Sequence, residues 1–300
     1  MVTSDTRNTR DARVLAGALE AFAGQVYFAP EAHAGYARLG FSGSPGEVRG
    51  VAMPDGAAYF CSRGSVLGQV PGHVIAAAFG VFNTAVVVPA VDYGWSLTTA
   101  DQICAARDEA AIGQLSRVVG DNPSEAAQLV EVLGELSESL PVAGRPLYAG
   151  LLALPVPDGP LGAAWRYADR LREFRGDSHT AAWTGAGFSG VEIGLLTELY
   201  WGLRPKTYVR SRAWSEDELD EGIADLEHRG LIADGRLTEQ GRQVREAIEV
   251  RTDDQCRPIL EGLGDRFDDT VAQLRRLSDA VRAAHGYPAA GPHDLAAASD

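Results

Sequence analysis

The chain is poor in lysine and cysteine, and it has no long apolar run. Lys206 is the one lysine among 27 basic residues. The three cysteines are Cys61, Cys104 and Cys256. They are far apart and form no CxxC pair, which argues against a zinc site, a redox pair or covalently attached haem. The apolar stretch 81–91 is too short to span a bilayer, and residues 1–13 lack a signal-peptide core. We therefore expect a cytoplasmic protein with no membrane partner.

Positive charge is scarce as well. The 27 basic residues face 41 acidic ones, so the formal net charge is −14 and the pI is near 4.9. This balance disfavours nucleic acid and anionic membranes as general partners, while it allows a local basic patch. Apolar residues make up 45% of the chain, enough for a sizeable core. The length of 300 residues suggests two domains, or one domain with an appendage.

Residues 214–252 follow the pattern of a winged helix. Ser215 and Glu218 form a capping box that begins a helix, and Gly230 ends it. The sequence 234–235 is Asp-Gly, which predicts a tight hairpin turn, and Thr238 is placed to cap the next helix. The apolar stripe at helical spacing consists of Leu219, Ile223, Leu226, Leu231 and Ile232.

This segment resembles the winged helix of the MarR class of regulators, whose reading helix ends in a similar Leu-Glu-x-Arg-Gly-Leu string. In that class the reading helix and a long wing both face DNA phosphates. Here the wing is a two-residue turn, and His228 and Arg229 are the only basic or imidazole side chains on the helix. Its acidic residues are Glu216, Asp217, Glu218, Asp220, Glu221, Asp225 and Glu227. Because phosphate neutralisation dominates DNA affinity, we expect that DNA is not a partner.

Three further segments resemble an actinobacterial family of winged-helix proteins. They are residues 26–33 (VYFAPEAH), 59–68 (YFCSRGSVLG) and 171–179 (LREFRGDSH). The resemblance covers nearly everything between residues 15 and 285. That family is known for its helix-turn-helix and has no established activity. The resemblance therefore implies the fold and a ligand pocket, but it supplies no chemistry.

The helical patterns predict a mainly α protein in three parts. We expect a helical ligand-pocket domain at 1–185, a winged-helix-like domain with a long C-terminal helix at 186–285, and a disordered tail at 286–300. Tyr59 precedes Pro71 by twelve residues, and Tyr148 precedes Pro160 by the same distance. This spacing is compatible with an internal duplication, and equally with shared turn chemistry alone.

Prolines and glycines set several predicted helix limits. Pro71 begins a helix that reaches about Val88, where Pro89 ends it. The helix 161–174 either continues past Gly176 or breaks there. A last helix is predicted at 252–284. Its apolar residues recur every three or four positions, more than one small domain needs, and this stripe predicts a homodimer.

The densest polar cluster lies at residues 172–179. In a continuous helix, Arg172, Arg175 and His179 share one face and form a carboxylate or phosphate clamp beside an imidazole. If Gly176 breaks the helix, His179 lies in the first turn of a new one, where the helix dipole favours a neutral base. The alternative is a charged helix face with a cap.

Other candidates lie earlier in the chain. Glu31 and His33, after Pro30, could border one pocket as an acid/base pair, or serve only in helix packing. With His179 they would form a two-histidine, one-carboxylate metal site, but no local spacing requires one, so we predict no cofactor. The predicted ligand-binding residues are Arg63, Tyr59, Asn83, Arg175 and Trp183, each of which could instead be a satisfied core residue.

The leading interpretation is an enzyme of specialised metabolism that applies acid/base chemistry, of lyase, isomerase or cyclase type, to a small polar or anionic substrate. His179, His33 and Glu31 are its predicted catalytic residues, and the winged helix is retained as structure. The sequence has no GxGxxG, P-loop, GxSxG, HExxH or kinase motif. The alternative is a MarR-like, ligand-responsive transcriptional regulator. Its phosphate contacts would be Arg204, Lys206, Arg210 and Arg212.

Overall fold

Fourteen α-helices and two short hairpins make up the part of the chain that the computed structural model describes, residues 8–288. The helices are α1 (Asp11–Gly24), α2 (Pro30–Arg38), α3 (Gly56–Gly64), α4 (Gly72–Phe79), α5 (Thr84–Leu97), α6 (Ala100–Val119), α7 (Ser124–Ser139), α8 (Pro146–Ala153), α9 (Gly159–Gly185), α10 (Gly190–Tyr200), α11 (Glu216–His228), α12 (Glu239–Gln255), α13 (Arg257–Leu263) and α14 (Phe267–Ala283). Strand β1 (Glu47–Val48) pairs antiparallel with β2 (Val51–Ala52), and β3 (Ile232–Ala233) with β4 (Arg236–Leu237). The predicted mainly α class is confirmed.

The 27-residue helix α9 lies at the centre and packs against α1, α6, α7, α8 and α12. Of the two alternatives at Gly176, the structure has the continuous helix, which runs on to Gly185. Its buried aromatic side chains Trp165 and Phe174 belong to the main hydrophobic core. Neighbouring helices therefore cover α9 over most of its length.

The described residues form two hydrophobic cores. The larger core joins α1–α9 with α13 and α14, and we call these helices the helical body. We call α10–α12 with the strands β3 and β4 the winged helix. The smaller core joins the winged helix to the C-terminal end of α9. The packing assigns the last two helices to the helical body. The domain limits at residues 185 and 285 stay a prediction.

The predicted helix 252–284 is wrong, because the segment forms three helices. Helix α12 ends at Gln255, and Pro258 lies in the first turn of α13, where its missing N–H removes no helical hydrogen bond. The apolar side chains of α14 are buried against α1 of the same chain. They are Phe267, Val271, Leu274, Leu277 and Val281. The stripe is thus covered within one chain and gives no reason for a dimer, so the homodimer stays a prediction.

The predicted helix from Pro71 to Val88 is also wrong. Helix α4 ends at Phe79, and the next residue, Gly80, has a φ of +62°, a left-handed conformation that favours glycine. A new helix, α5, begins after Asn83, whose side chain accepts a hydrogen bond from the Ala85 N–H. It continues through Pro89, which removes one helical hydrogen bond without ending the helix.

The winged-helix signals are confirmed residue by residue. Ser215 and Glu218 form the capping box of α11, and Gly230 follows the helix with a φ of +69°. The turn between β3 and β4 has positive φ at both Asp234 (+51°) and Gly235 (+68°), as a type I′ hairpin requires. Thr238 accepts a hydrogen bond from the Gly241 N–H and caps α12.

The predicted disordered tail begins at residue 286. Most of it, residues 289–300, lies outside the described residues. Within its first part, Tyr287 packs edge-on against Phe28 at 5.2 Å and donates a hydrogen bond to Glu20 at 2.8 Å.

Among residues 8–288, no helix is both long and apolar enough to cross a membrane. The helices that follow Pro71 and Pro160 have 8 and 27 residues, and the internal duplication stays a prediction.

Candidate functional site

Charged side chains are buried along α9 in two groups. The first, which we call the body cluster, lies between α1, α3, α6 and α9. It consists of Tyr27, Arg63, Arg107, Asp108, Arg166, Asp169, Arg172 and Glu173. The second, the junction cluster, lies between α1, α9 and α12. It consists of Arg13, Arg175, His179, Arg245, Glu246, Glu249 and Asp253.

Glu173 is the anchor at one end of the body cluster. Arg63 donates to both of its carboxylate oxygens at 2.8 Å, and Arg172 donates to Oε1 at 2.5 Å. Burial alone would raise the pKa of Glu173, but Arg172 and Arg63 outweigh it and lower this pKa to about 2. The Tyr59 hydroxyl lies 3.5 Å from Nη1 of Arg63. The predicted ligand residues Arg63 and Tyr59 are therefore together, but Arg63 already has a buried carboxylate partner.

Asp169 is the second carboxylate of this cluster. It accepts hydrogen bonds from Arg107 at 2.5 Å and from Arg172 at 2.9 and 3.1 Å. The Tyr27 hydroxyl accepts from the same two arginines, at 3.2 and 3.3 Å. Burial raises the pKa of Tyr27, so the hydroxyl stays protonated at neutral pH. These shared contacts make α6 and α9 one rigid polar unit.

Glu249 organises the junction cluster from α12. It accepts from Arg175 at 2.9 Å and from Arg245 at 2.6 Å, and all three side chains are mostly or fully buried. Burial alone would raise the pKa of Glu249, but the two arginines hold it well below the ordinary value. Arg175 and His179 are thus brought to one carboxylate, since His179 Nδ1 lies 4.0 Å from Glu249 Oε1.

His179 has a hydroxyl neighbour on α12. Its Nδ1 lies 3.0 Å from the Thr252 hydroxyl, which also lies 2.9 Å from the carbonyl oxygen of Ile248. If the hydroxyl donates to that carbonyl, Nδ1 is the donor to Thr252. This bond places the imidazole on the α9–α12 contact, with 21% of the side chain exposed.

The first helix joins the same contact. Arg13 donates to Asp253 at 2.7 Å and to Glu246 at 3.0 Å. Burial raises the pKa of Asp253 to about 6, although Arg13 and Arg175 oppose the shift. The junction cluster therefore attaches the winged helix to both α1 and α9 of the helical body.

Glu31 and His33 have partners of their own on α6 and at the β1–β2 hairpin. Glu31 binds Arg117 at 2.6 Å, and this pairing lowers its pKa although burial would raise it. His33 is buried beside the β1–β2 hairpin, where burial lowers its pKa against a backbone contact to Ala52. Within residues 8–288, no group of three or more histidine, cysteine and acidic side chains is arranged to hold a metal ion.

Asn83 and Trp183 lie at a second contact between the winged helix and the helical body. The Asn83 amide donates to the Glu218 carboxylate at 2.8 and 3.1 Å, and Trp214 donates to the carbonyl of Val81 at 3.0 Å. Trp183 belongs to the smaller core and lies directly on Gly80, where a Cβ would come within 2.8 Å of the indole. That Asn83 and Trp183 bind a ligand stays a prediction.

The surface of α11 is acidic and solvent-exposed. The exposed carboxylates are Glu216, Asp217, Asp220, Glu221, Asp225 and Glu227. Two of the basic residues that precede α11 are paired with it, since Lys206 contacts Asp220 and Glu216 and Arg210 contacts Glu216. Arg212 lies over the rings of Phe82 and Tyr208, at 4.8 and 4.6 Å. Such exposed pairs add little stability, but they reduce the positive field in front of the helix.

An open depression of about 400 Å³ lies between the end of α9, α11 and α12. Its lining includes Phe188, Arg229, Ile248 and Arg251, but neither Arg175 nor His179. That Arg175 and His179 line a ligand cavity therefore stays a prediction.

Sequence reasoning missed most of the buried ionic partners. Arg245 and Glu249 lie on α12 at a four-residue spacing next to the core residue Ile248, and Arg166 and Asp169 lie three residues apart on α9 beside the core residue Trp165. Charged residues at positions where a helix needs apolar ones are the signal that could have identified them.

Comparison with known proteins gives one match. The family model described as the "Helix-turn-helix family" matches residues 12–288, which is nearly the whole described chain. No curated protein and no solved structure matches.

The buried Glu249 should matter more than its neighbour one turn earlier. We expect Glu249→Gln to lower the free energy of unfolding by about 3 kcal/mol, because the buried Arg245 loses its counter-charge and Arg175 keeps only the more distant Asp253, at 3.9 Å. The half-buried Glu246 is the control, and Glu246→Gln should cost about 1 kcal/mol or less. Urea unfolding measures both. Equal losses would show that the junction cluster has no special role.

Asp177 provides a pH test of burial on α9. It accepts a hydrogen bond from the Tyr148 N–H at 3.0 Å, and burial, with Glu173 nearby, raises its pKa from 3.8 to about 7. A carboxyl that binds its proton more tightly when folded stabilises the protein at low pH. This stability is lost as pH rises towards 7, by up to about 1.4 kcal/mol per pH unit.

We therefore expect Asp177→Asn to flatten the decline of stability between about pH 4 and pH 7, as followed by thermal unfolding. The exposed Asp225 on α11 is the matched control, and Asp225→Asn should keep the wild-type profile. Superimposable profiles for Asp177→Asn and wild type would contradict the assignment.

Proposed function

Because this chain belongs to the helix-turn-helix family, we propose that it is a regulatory protein that responds to a small polar or anionic ligand. In this proposal the helical body binds the ligand and the winged helix is the responsive part. The junction cluster carries the proposal. Its buried ion pairs join Arg13 and Arg175 of the helical body to Glu249 and Asp253 of α12. A shift of α9 would have to move α12, because breaking these pairs leaves charges buried.

The winged helix is MarR-like in its order of elements but not in its charge. The reading helix α11 presents carboxylates, and the wing is a two-residue turn. We propose that this surface does not grip DNA phosphates, because like charges oppose the contact that supplies most DNA affinity. An acidic, exposed helix is suited to a basic surface on a partner protein.

An acid/base enzyme is the second candidate. Burial raises the pKa of Asp177 to about 7 and that of Asp253 to about 6. These values favour an enzyme, because groups with perturbed pKa values concentrate at active sites. In this candidate His179 is the proton carrier and Arg175 the substrate clamp. Glu31, paired with Arg117, and His33, beside the β1–β2 hairpin, are its further acid/base residues.

DNA binding is the direct test of the α11 surface. We expect the protein to bind fragments upstream of its own gene no better than random DNA, at about 150 mM salt. Specific regulators bind with dissociation constants of roughly 10⁻⁸ M or below. A variant with Asp217→Asn, Glu221→Gln and Glu227→Gln should bind random DNA more tightly than wild type, because three repulsive charges are gone. Sub-micromolar, sequence-selective binding by wild type would refute this part of the proposal.

The ligand-binding part is tested at His179. We expect native mass spectrometry of the purified protein to show a non-covalent adduct that the exposed control His228→Ala retains and His179→Ala loses. His179→Ala should keep the stability of the fold within about 1 kcal/mol, because the imidazole is partly exposed. If wild type shows no adduct, or if both variants keep it, His179 does not belong to a ligand site.

A further inference from the structure

The helix pair α4–α5 is nearly free of charge. Residues 64–100, which contain both helices, include one charged side chain, Asp92, and neither lysine nor arginine. The whole chain is 23% charged and carries a formal net charge of −14. A charge-free stretch of this length is expected inside a core. In this protein a part of it faces solvent.

Apolar side chains form the exposed side of this pair. Val74 on α4 is 46% exposed, and Val86 and Tyr93 on α5 are 40% and 53% exposed. Six large apolar side chains of residues 8–288 are exposed in this way, so half of them lie on one helix pair. Scattered apolar residues are normal on a surface, but several together mark an interaction site. We call the exposed apolar residues of the pair the outer face: Val74, Ala77, Ala85, Val86, Pro89 and Tyr93.

The two helices beneath the outer face are held tightly together. Gly72 lies so close to α5 that a Cβ there would come within 2.8 Å of the Val88 backbone. The Trp95 indole of α5 donates to the carbonyl of Val70, just before α4, at 2.8 Å. The opposite sides of both helices belong to the main hydrophobic core. The outer face is therefore preformed, and a partner that binds it loses little free energy in ordering it.

Two polar side chains border the outer face. His73 on α4 and Asp92 on α5 are exposed, and neither forms an ion pair within residues 8–288. Because Gly72 touches Val88, His73 and Asp92 lie at the same end of the helix pair, one residue and about one turn away from this contact. One is a hydrogen-bond donor and the other an acceptor. The face thus carries its own complement.

The composition of the outer face decides between occupants. Helices that lie on a lipid surface carry lysine and arginine beside their apolar residues, and residues 64–100 have none. A charged protein surface would lose its hydration here without gaining counter-charges. A second copy of this chain brings the same apolar residues and the same His73 and Asp92. In a twofold contact each residue meets its complement twice.

The position of α11 limits where a twofold axis can pass. Asn83, at the start of α5, binds Glu218 of the acidic α11. An axis near Asn83 would bring two acidic helices together, and their like charges would repel. An axis near Asp92, nine residues further along, keeps the two copies of α11 apart.

We propose that the outer face binds the same face of a second copy of this chain, about a twofold axis near Asp92, so that Asp92 of each protomer accepts a hydrogen bond from His73 of the other. Helix α5 has 14 residues, so the face measures about 20 Å by 20 Å. Its area of roughly 400 Å² is below the ~800 Å² per partner of a stable dimer, so we expect micromolar association. This inference goes beyond the proposed function, since the contact would form whatever the winged helix does.

Self-association of the full chain is the direct test. Sedimentation velocity and light scattering are recorded from about 1 to about 300 μM, which brackets a micromolar dissociation constant. The mass should rise reversibly with concentration, from 31.8 kDa towards twice that value. A single 31.8 kDa species over the whole range would overturn the proposal. So would co-sedimentation with neutral phosphatidylcholine vesicles in place of self-association, which would identify a lipid surface as the occupant.

One variant places a charge in the outer face. Val86 lies in the first turn of α5, where a negative side chain is favoured, so Val86→Glu should fold normally. It should raise the dissociation constant at least about tenfold, because the contact would bury an unpaired carboxylate. The matched control is Val250→Glu, at a valine of 37% exposure on α12, and it should leave the dissociation constant unchanged. Equal constants for both variants would place the interface elsewhere.

A charge exchange tests the polar contact across the axis. His73→Glu and Asp92→Arg should each weaken the dimer, because each removes one member of the reciprocal pair. The double variant again places opposite charges across the axis and should recover most of the wild-type affinity. A double variant that is as weak as the sum of the two single changes would contradict the contact between His73 and Asp92.

Discussion

The structure depends on the requirement that every charge buried along α9 has a partner. An unpaired buried charge costs several kcal/mol, so the arginines and carboxylates that α9 presents determine which helices can lie beside it. Glu249 pairs with Arg175 and Arg245, while Glu173, two residues before Arg175 on α9, pairs with Arg63 and Arg172. Hydrophobic packing gives the helices their cohesion, but these ionic contacts fix their register.

This requirement connects the fold to the proposed function. The winged helix meets the helical body through ion pairs at α12 and through the hydrogen bonds of Asn83 and Trp214. Buried ionic contacts have discrete arrangements, so a change of charge in the helical body can shift the whole contact. In the proposed function, the acidic surface of α11 would pass such a shift on to a basic surface of a partner protein.

The sequence predicted local features better than it predicted partners. The capping box at Ser215, the Asp234–Gly235 turn and the cap at Thr238 were right because each depends on neighbouring residues only. The helix break after Phe79 and the three-part C-terminal segment were missed, because tertiary packing decides them. For a continuous helix the sequence places Arg172, Arg175 and His179 on one face. The structure brings Arg175 and His179 to Glu249, some seventy residues away in sequence, while Arg172 pairs with Asp169 and Glu173. No local pattern could pair them.

Native-state hydrogen exchange tests the central claim, that the junction cluster makes α9 and α12 one cooperative unit. Amides of α9 around Arg175 and amides of α12 around Glu249 are compared over increasing denaturant. The account predicts that both groups exchange through the same opening, with one free energy and one denaturant dependence. If the amides of α10–α12 exchange through a separate opening of much lower free energy while α9 stays protected, the winged helix is an independent attachment and the coupling is contradicted.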